Sequence, residues 1–235
     1  MHEEFLKPTE FIDSDSPDIQ AFARKAVEGA RTDRDKAVRL YYAVRDGIYY
    51  DPYRIEASRD AFKASTILRQ KYGYCVTKAI VLAAVLRTEG IPCRLHFADV
   101  RNHLSTERLR KMMQTDVFYY HGYNDIWLEG RWIKVTPTFN LSLCKKFRVK
   151  PLDFDGVNDA ILHSCDLEGR RHMEYITDHG SFADLPYDEI INTFLTCYGD
   201  AVKTYLARKN HGGDFEHEAQ RENAAEQVEN QQRHE

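Results

Sequence analysis

The chain has 235 residues, 43% of them hydrophobic and 12% aromatic, enough apolar surface to bury one sizeable core. A formal net charge of -4, with no Lys/Arg cluster interleaved with aromatics, argues against nucleic acid as a partner, and no run of about 18 apolar residues is present to span a membrane. The five cysteines are odd in number and widely spaced, with no C-x-x-C pair, so free thiols in a cytoplasmic protein are expected, with no disulfide framework, no metal and no cofactor.

In chain order, Ser16-Pro17 opens a helix whose apolar face carries Ile19, Phe22, Ala23 and Val27, and Thr32-Asp33-Arg34-Asp35 opens a second with Ala37, Leu40, Tyr41 and Val44. Gly47 closes the second, and Pro52 keeps the aromatic stretch Ile48–Tyr53 extended. Ser65-Thr66 predicts the cap of a short helix from Ile67 to Lys71, terminated by Gly73.

Gly73-Tyr74-Cys75 then empties into about four turns of Ala-rich, apolar sequence with no internal Gly or Pro, the pattern of a buried helix. Cys75 falls at that helix's N-terminus. Free backbone N–H groups and the positive end of the macrodipole favour thiolate there, so the cysteine is expected to have a lowered pKa. Gly90-Ile91-Pro92 turns the chain into an alternating strand, Cys93–Val100. Residues 101–115 are charged, contain Met112-Met113, and read as an excursion able to cover a cleft. Val117–Leu128 and Arg131–Phe139, separated only by Glu129-Gly130, form a hairpin. Helices first and antiparallel strands after make the fold class α+β.

A cysteine nucleophile needs a base, and the base needs an acceptor on its far nitrogen. Among ten histidines the best base is His121, which alternation places on one strand face with Tyr123 and Asp125, beside a glycine that leaves room for substrate. His163, Cys165, His172 and His179 are ligand types, but their spacing matches no zinc pattern.

Gly73-Tyr74-Cys75 heading an Ala-rich helix, Gly90-Ile91-Pro92-Cys93-Arg94 after it, His121 on a strand and Trp132-Ile133-Lys134-Val135-Thr136-Pro137-Thr138 on its partner resemble the transglutaminase-like superfamily. More narrowly, the chain is similar to bacterial transglutaminase-like cysteine proteases. The resemblance runs from about Asp33 to Asn140 and implies a papain-like core, a Cys-bearing helix packed on an antiparallel sheet, with Cys75 and His121 as the catalytic pair. The family usually has Asp-Pro-Thr where this chain has Thr136-Pro137-Thr138, so Thr136 occupies the slot of the third catalytic member. Asn140, on the same face if the strand continues that far, competes for that role, and Asp125, roughly 13 Å from His121 along an extended strand, is a weaker choice.

The implied activity is cysteine-dependent amide hydrolysis or acyl transfer on a peptide or amide substrate, through a Cys75 thioester. The alternative is a catalytically silent binding module, suggested by Thr136. The expected organisation is a helical lead-in at 1–32, a catalytic core at 33–140, an extension packed on it at 141–210, and a charged tail at 211–235, helical or disordered, with seven acidic and two basic residues.

Overall fold

The computed structural model describes residues 2–200, 202, 204 and 215–222. Helix α1 (Pro17–Ala26) starts on its proline. Helix α2 (Asp33–Gly47) is capped by Thr32, whose hydroxyl accepts from the Asp35 amide at 3.1 Å. The apolar stripe of α2, Ala37, Leu40, Tyr41 and Val44, is buried. Strand β1 (Tyr49–Tyr50) pairs in parallel with β2 (Tyr72–Gly73), and α3 (Ala64–Gln70) lies between them.

Helix α3 begins three residues before the predicted Ile67, and it is not Gly73 that ends it. Lys71 takes the left-handed conformation (φ 63°) at its C-cap. Gly73 serves a different need, because a Cβ there would stand 2.7 Å from the Thr77 hydroxyl and 3.3 Å from Lys78 Cγ. It lets the next helix approach the β1–β2 pair.

That helix, α4 (Cys75–Thr88), is buried from Cys75 to Arg87. Thr77 closes its first turn, accepting from the Tyr74 amide at 3.0 Å and donating to the Tyr74 carbonyl at 3.2 Å. Two cations inside this helix are wholly engaged with backbone oxygens. Lys78, 0% exposed, donates to the carbonyls of Arg45 (2.8 Å) and Ile48 (2.6 Å), at the C-terminus of α2 where the dipole favours a cation. Arg87 donates to Cys93, Lys7 and Ala183, tying the N-terminal segment and the sheet to the end of α4. Burial pushes the Lys78 amine down to about 7.

The sheet is antiparallel throughout, in the order β5-β4-β3-β6, from β3 (Cys93–Asn102), β4 (Val117–Leu128), β5 (Arg131–Val135) and β6 (Met173–Phe182). Glu129 (φ 48°) and Gly130 (φ 86°) form the tight two-residue turn joining β4 to β5. Strand β5 stops at Val135, four residues short of the predicted Phe139. Pro137 cannot donate to a ladder, and the Thr136 amide donates instead to the Ala160 carbonyl at 2.8 Å. Helix α5 (Glu107–Met113) interrupts β3 and β4, α6 (Leu141–Phe147) follows Asn140 directly, and α7 (Tyr187–Cys197) follows β6.

One face of the sheet receives α4, where the Asn124 amide donates to the Ala79 carbonyl at 2.9 Å. By alternation and register, the other face carries His96, His121, Tyr123 and Asp125. Within the stretch expected as a tail, residues 215–222 are helical and Phe215 and Ala219 are buried, Phe215 against the rings of Tyr50, Tyr53 and Phe147. Positions 211–214 and 223–235 of that stretch lie outside the described residues. Among the described residues, no helix is long and apolar enough to cross a membrane.

Replacing Lys78 with alanine strips two buried carbonyls of their donor and opens a cavity between α2 and α4. The expected cost is on the order of 3 kcal/mol, read as a lower urea midpoint with unchanged slope; a loss under about 0.5 kcal/mol would show that this contact does not hold the helices together.

Candidate active site

Strand β4 is flanked unequally. On one side β3 accompanies it past His121, with Ala98 opposite His121 and Val100 opposite Phe118, whereas on the other side β5 reaches only as far as Asn124. The β4 backbone at His121-Gly122 therefore has an open edge, and the first turn of α4 fills it. A Cβ on Gly122 would lie 2.8 Å from Val76 Cα and 3.3 Å from Val76 N, closer than real side chains come to backbone. The room beside His121 that sequence reading assigned to substrate is taken by this helix.

The approach brings the Cys75 sulfur to the Gly122 amide. Together with the Val76 and Cys75 amides, it lowers the cost of a thiolate. These donors do not win. Cys75 is 5% exposed, and burial pushes its thiol up to about 11, reversing the direction expected from the helix terminus alone. The surroundings explain the reversal: the sulfur borders a cavity of about 50 Å³ closed by Met112 and Met113 of α5, Phe194 of α7, Tyr198 and Tyr50. That lining is apolar and brings no cation to the sulfur.

His121 is buried as well. It is 3% exposed, and burial alone pushes its imidazole down to about 3. Its ring lies 6.3 Å from that of Tyr123 and 6.2 Å from that of Tyr175, the latter edge-on at 75°. Its Nε2 is buried without a hydrogen-bond partner. At neutral pH both Cys75 and His121 are uncharged in this closed form.

None of the expected third members hydrogen-bonds His121. Extending the β4–β5 register by one residue places Thr136 opposite Tyr123, on the His121 face and diagonal to the ring. Its hydroxyl is fully buried and has no partner. Asn140 lies beyond the end of β5, and its amide is engaged elsewhere. The Oδ1 accepts from the Tyr50 amide at 3.0 Å, and the Nδ2 donates to Ser142 Oγ and Glu216 Oε1, both at 2.7 Å. Asp125 accepts from Arg94 Nε at 2.8 Å and pairs with His96 Nδ1 at 3.0 Å.

Sequence reasoning missed Tyr175. It sits on β6 opposite Val100, yet its ring crosses the sheet face to His121 and Tyr123, and its hydroxyl comes near Thr136 and the Leu162 backbone without completing a hydrogen bond. Burial pushes that phenol up to about 12. Tyr175 also borders a groove of about 850 Å³, together with Leu152, Leu162, His163, Arg171 and Met173.

Residues 20–137 match the family model described as the transglutaminase-like superfamily. The chain belongs to this superfamily. Its α+β architecture, a buried helix headed by Cys75 and packed on an antiparallel sheet, is the papain-like core of that group. Among solved structures, a proposed cysteine protease from Cytophaga hutchinsonii aligns at 16% identity and a TM-score of 0.46, over 77% of this chain and 53% of that one. A proposed protease from Parabacteroides distasonis aligns at 16% identity and a TM-score of 0.36, over 53% of this chain and 25% of that one. The chain thus spans about half the length of the first and a quarter of the second. No curated protein matches it.

The burial of His121 has a thermodynamic signature. Its folded pKa, about 3, lies below the ordinary 6.5, so between these values the unfolded chain binds the extra proton and stability rises with pH. Stability is full above about pH 6.5 and falls on acidification, by about 3 kcal/mol between pH 6.5 and 4 from this residue. Urea unfolding of wild type and His121→Gln across that range checks it: the variant should show a shallower slope, with the remaining slope shared by His172, also pushed down to about 4 by burial.

Proposed function

We propose that the protein is a cysteine-dependent acyl-transfer enzyme, hydrolysing a peptide or other amide or passing its acyl group to an amine. The observation that carries this reading is the meeting of Cys75 and Gly122. A thiol at the head of a buried helix is faced by a convergent set of backbone N–H groups, on the strand that presents His121 in the next position. A purely packing cysteine has no need of that convergence.

The chemistry starts from two neutral groups. Cys75 adds to the carbonyl carbon while His121 takes the thiol proton, so charge develops only in the transition state. The Cys75 amide and a neighbouring donor stabilise the oxyanion, a contribution of about 3 kcal/mol per donor. His121 returns the proton to the nitrogen of the leaving amine, the C–N bond breaks, and a thioester remains. Water or a second amine adds to the thioester, again losing its proton to His121, and collapse releases the product and restores the thiol. Substrate reaches the sulfur by displacing the cover formed by Met112, Met113, Phe194 and Tyr198. Water admitted with it relieves the desolvation that holds the two pKa values apart.

A second reading, a binding module that keeps the fold without turnover, is favoured by the uncharged Thr136 and by a His121 ring with no hydrogen bond. Acylation separates the two. With p-nitrophenyl acetate as acyl donor, peptide mapping should find a Cys75 acetyl thioester that forms and then hydrolyses. Cys75→Ser should abolish it, and His121→Ala should slow it by about 100-fold or more. Absence of the thioester at every pH where the protein stays folded, or equal rates with and without His121, would establish the silent module.

A further inference from the structure

We propose that Tyr175, acting with Thr136, is the positioning element for His121, two hydroxyls doing without charge what a carboxylate does in the superfamily's usual sequence. This rests on the acyl-transfer reading but concerns a residue outside the matched segment, which ends at 137.

Four polar atoms on this sheet face lack partners, Asp125 Oδ1 at the far end of β4 and, around the ring, His121 Nε2, Thr136 Oγ1 and Tyr175 Oη. All four are buried, and an unpaired buried polar atom carries a desolvation cost that persists only where something else needs the group. The last three also lie close together. Thr136 stands diagonally behind His121 by strand register, Tyr175 sets its ring edge-on against the imidazole at 6.2 Å, and the Tyr175 hydroxyl comes near Thr136. Small rotations of the two hydroxyls close the chain, with Nε2–H donating to Thr136 Oγ1 and Tyr175 Oη–H donating to the same oxygen's second lone pair.

Reach makes the assignment specific to Tyr175. Two strands separate β6 from β5, and Tyr175 spans the intervening face because its neighbours there are flat rings and small groups: it packs against Tyr123 at 6.1 Å and 85°, and sits opposite Val100, two residues along β3 from the Ala98 that pairs with His121. The other candidates are excluded, Asn140 by its bonds to Tyr50, Ser142 and Glu216, and Asp125 because its Oδ2 is held by Arg94 and His96 and the residue stands roughly 13 Å from His121 along the strand. The titratable groups whose rings face that of His121 are Tyr123 from β4 and Tyr175 from β6, and the Cys75 sulfur lies at the amide of the next residue, Gly122. With no carboxylate among them, the hydroxyl pair fixes the ring and its tautomer, leaving Nδ1 as the base, and does not stabilise an imidazolium.

Two measurements on the full chain test this. The first needs no turnover. In nitrogen-15 spectra of the free protein, His121 should be the neutral Nε2–H tautomer and should not titrate between pH 8 and 5. Tyr175→Phe, which keeps the ring and removes only the hydroxyl, should shift the Nε2 resonance, and Thr136→Asp should bring His121 into the titrating range. The second is the rate of Cys75 acetylation by p-nitrophenyl acetate. Tyr175→Phe and Thr136→Val should each slow it by about tenfold, the scale of one lost hydrogen bond to the ring, with unchanged urea midpoints. Thr136→Asp placed in the Tyr175→Phe background should restore the rate to within about threefold of wild type. A Tyr175→Phe protein with the wild-type His121 spectrum and a rate within twofold would overturn the assignment, as would failure of the aspartate to rescue. Wild type that shows the predicted spectra but never acetylates would overturn the acyl-transfer reading and leave the positioning role standing. Should Tyr175→Phe not fold, the pair Thr136→Ser and Thr136→Val decides, since only the serine keeps the hydroxyl.

Discussion

The first turn of α4 occupies the space where residue 122 would otherwise carry a side chain, and the geometry of the site follows from that contact. Because Val76 Cα would stand 2.8 Å from a Cβ at position 122, helix and strand backbones meet directly. The meeting requires that β5 end early, since a longer β5 would cover the same edge of β4. It also requires that Gly73, one turn upstream, have no side chain to strike Thr77. Two glycines and one short strand thus place the sulfur of Cys75 against the Gly122 amide, with His121 as that glycine's neighbour.

Desolvation then sets the chemistry available. A thiol at a helix N-terminus has the dipole and the amides in its favour, and in water those are enough to lower its pKa. Here three amides are set against near-complete burial, and burial dominates. The nearest cation on the same helix, Lys78, offers no relief, because its ammonium is spent on the C-terminal carbonyls of α2. The closed protein therefore holds a neutral thiol at the head of α4 and a neutral imidazole on β4. An ion pair stabilised in advance would call for a carboxylate behind the ring, and the position where the superfamily usually places one carries Thr136. The two features agree: the sheet face that lacks the carboxylate also keeps its imidazole uncharged.

Much of this was legible in the sequence because it depends on local pattern. The helix from Cys75, the strand from Cys93, the Glu129-Gly130 hairpin and the alternation placing His121, Tyr123 and Asp125 on one face all follow from periodicity and turn chemistry. Residues 101–115 were readable as a cover, and Met112 and Met113 do close the cavity over Cys75. What failed were inferences about distance between elements. Asn140 looked available only because β5 was extended past Pro137; the chain leaves the sheet there, and Tyr50, Ser142 and Glu216 take the amide. Gly122 reads identically whether it admits substrate or a helix. Tyr175 had no sequence signal at all, since its importance comes from a side chain crossing two strands, and the weakly patterned stretch around it gives no hint of that direction.

The superfamily match and the cover divide the chain unequally. Cys75, His121 and Thr136 fall within residues 20–137, whereas Phe194, Tyr198 and Tyr175, which close the site on two sides, come after it. Helix α5 belongs to the matched part but is held from outside: the Glu222 carboxylate accepts from the Glu107 amide at 3.1 Å, at the N-terminus of α5 where a negative charge is favoured, and Glu218 pairs with Arg108 at 2.6 Å. Phe215, in the same short helix, is wedged among Tyr50, Tyr53 and Phe147, and Tyr50 is itself a wall of the Cys75 cavity. Any movement of α5 that uncovers the sulfur must carry residues 215–222 along or break these contacts. The matched half of the molecule carries Cys75, His121 and Thr136, and the segments beyond it close over them.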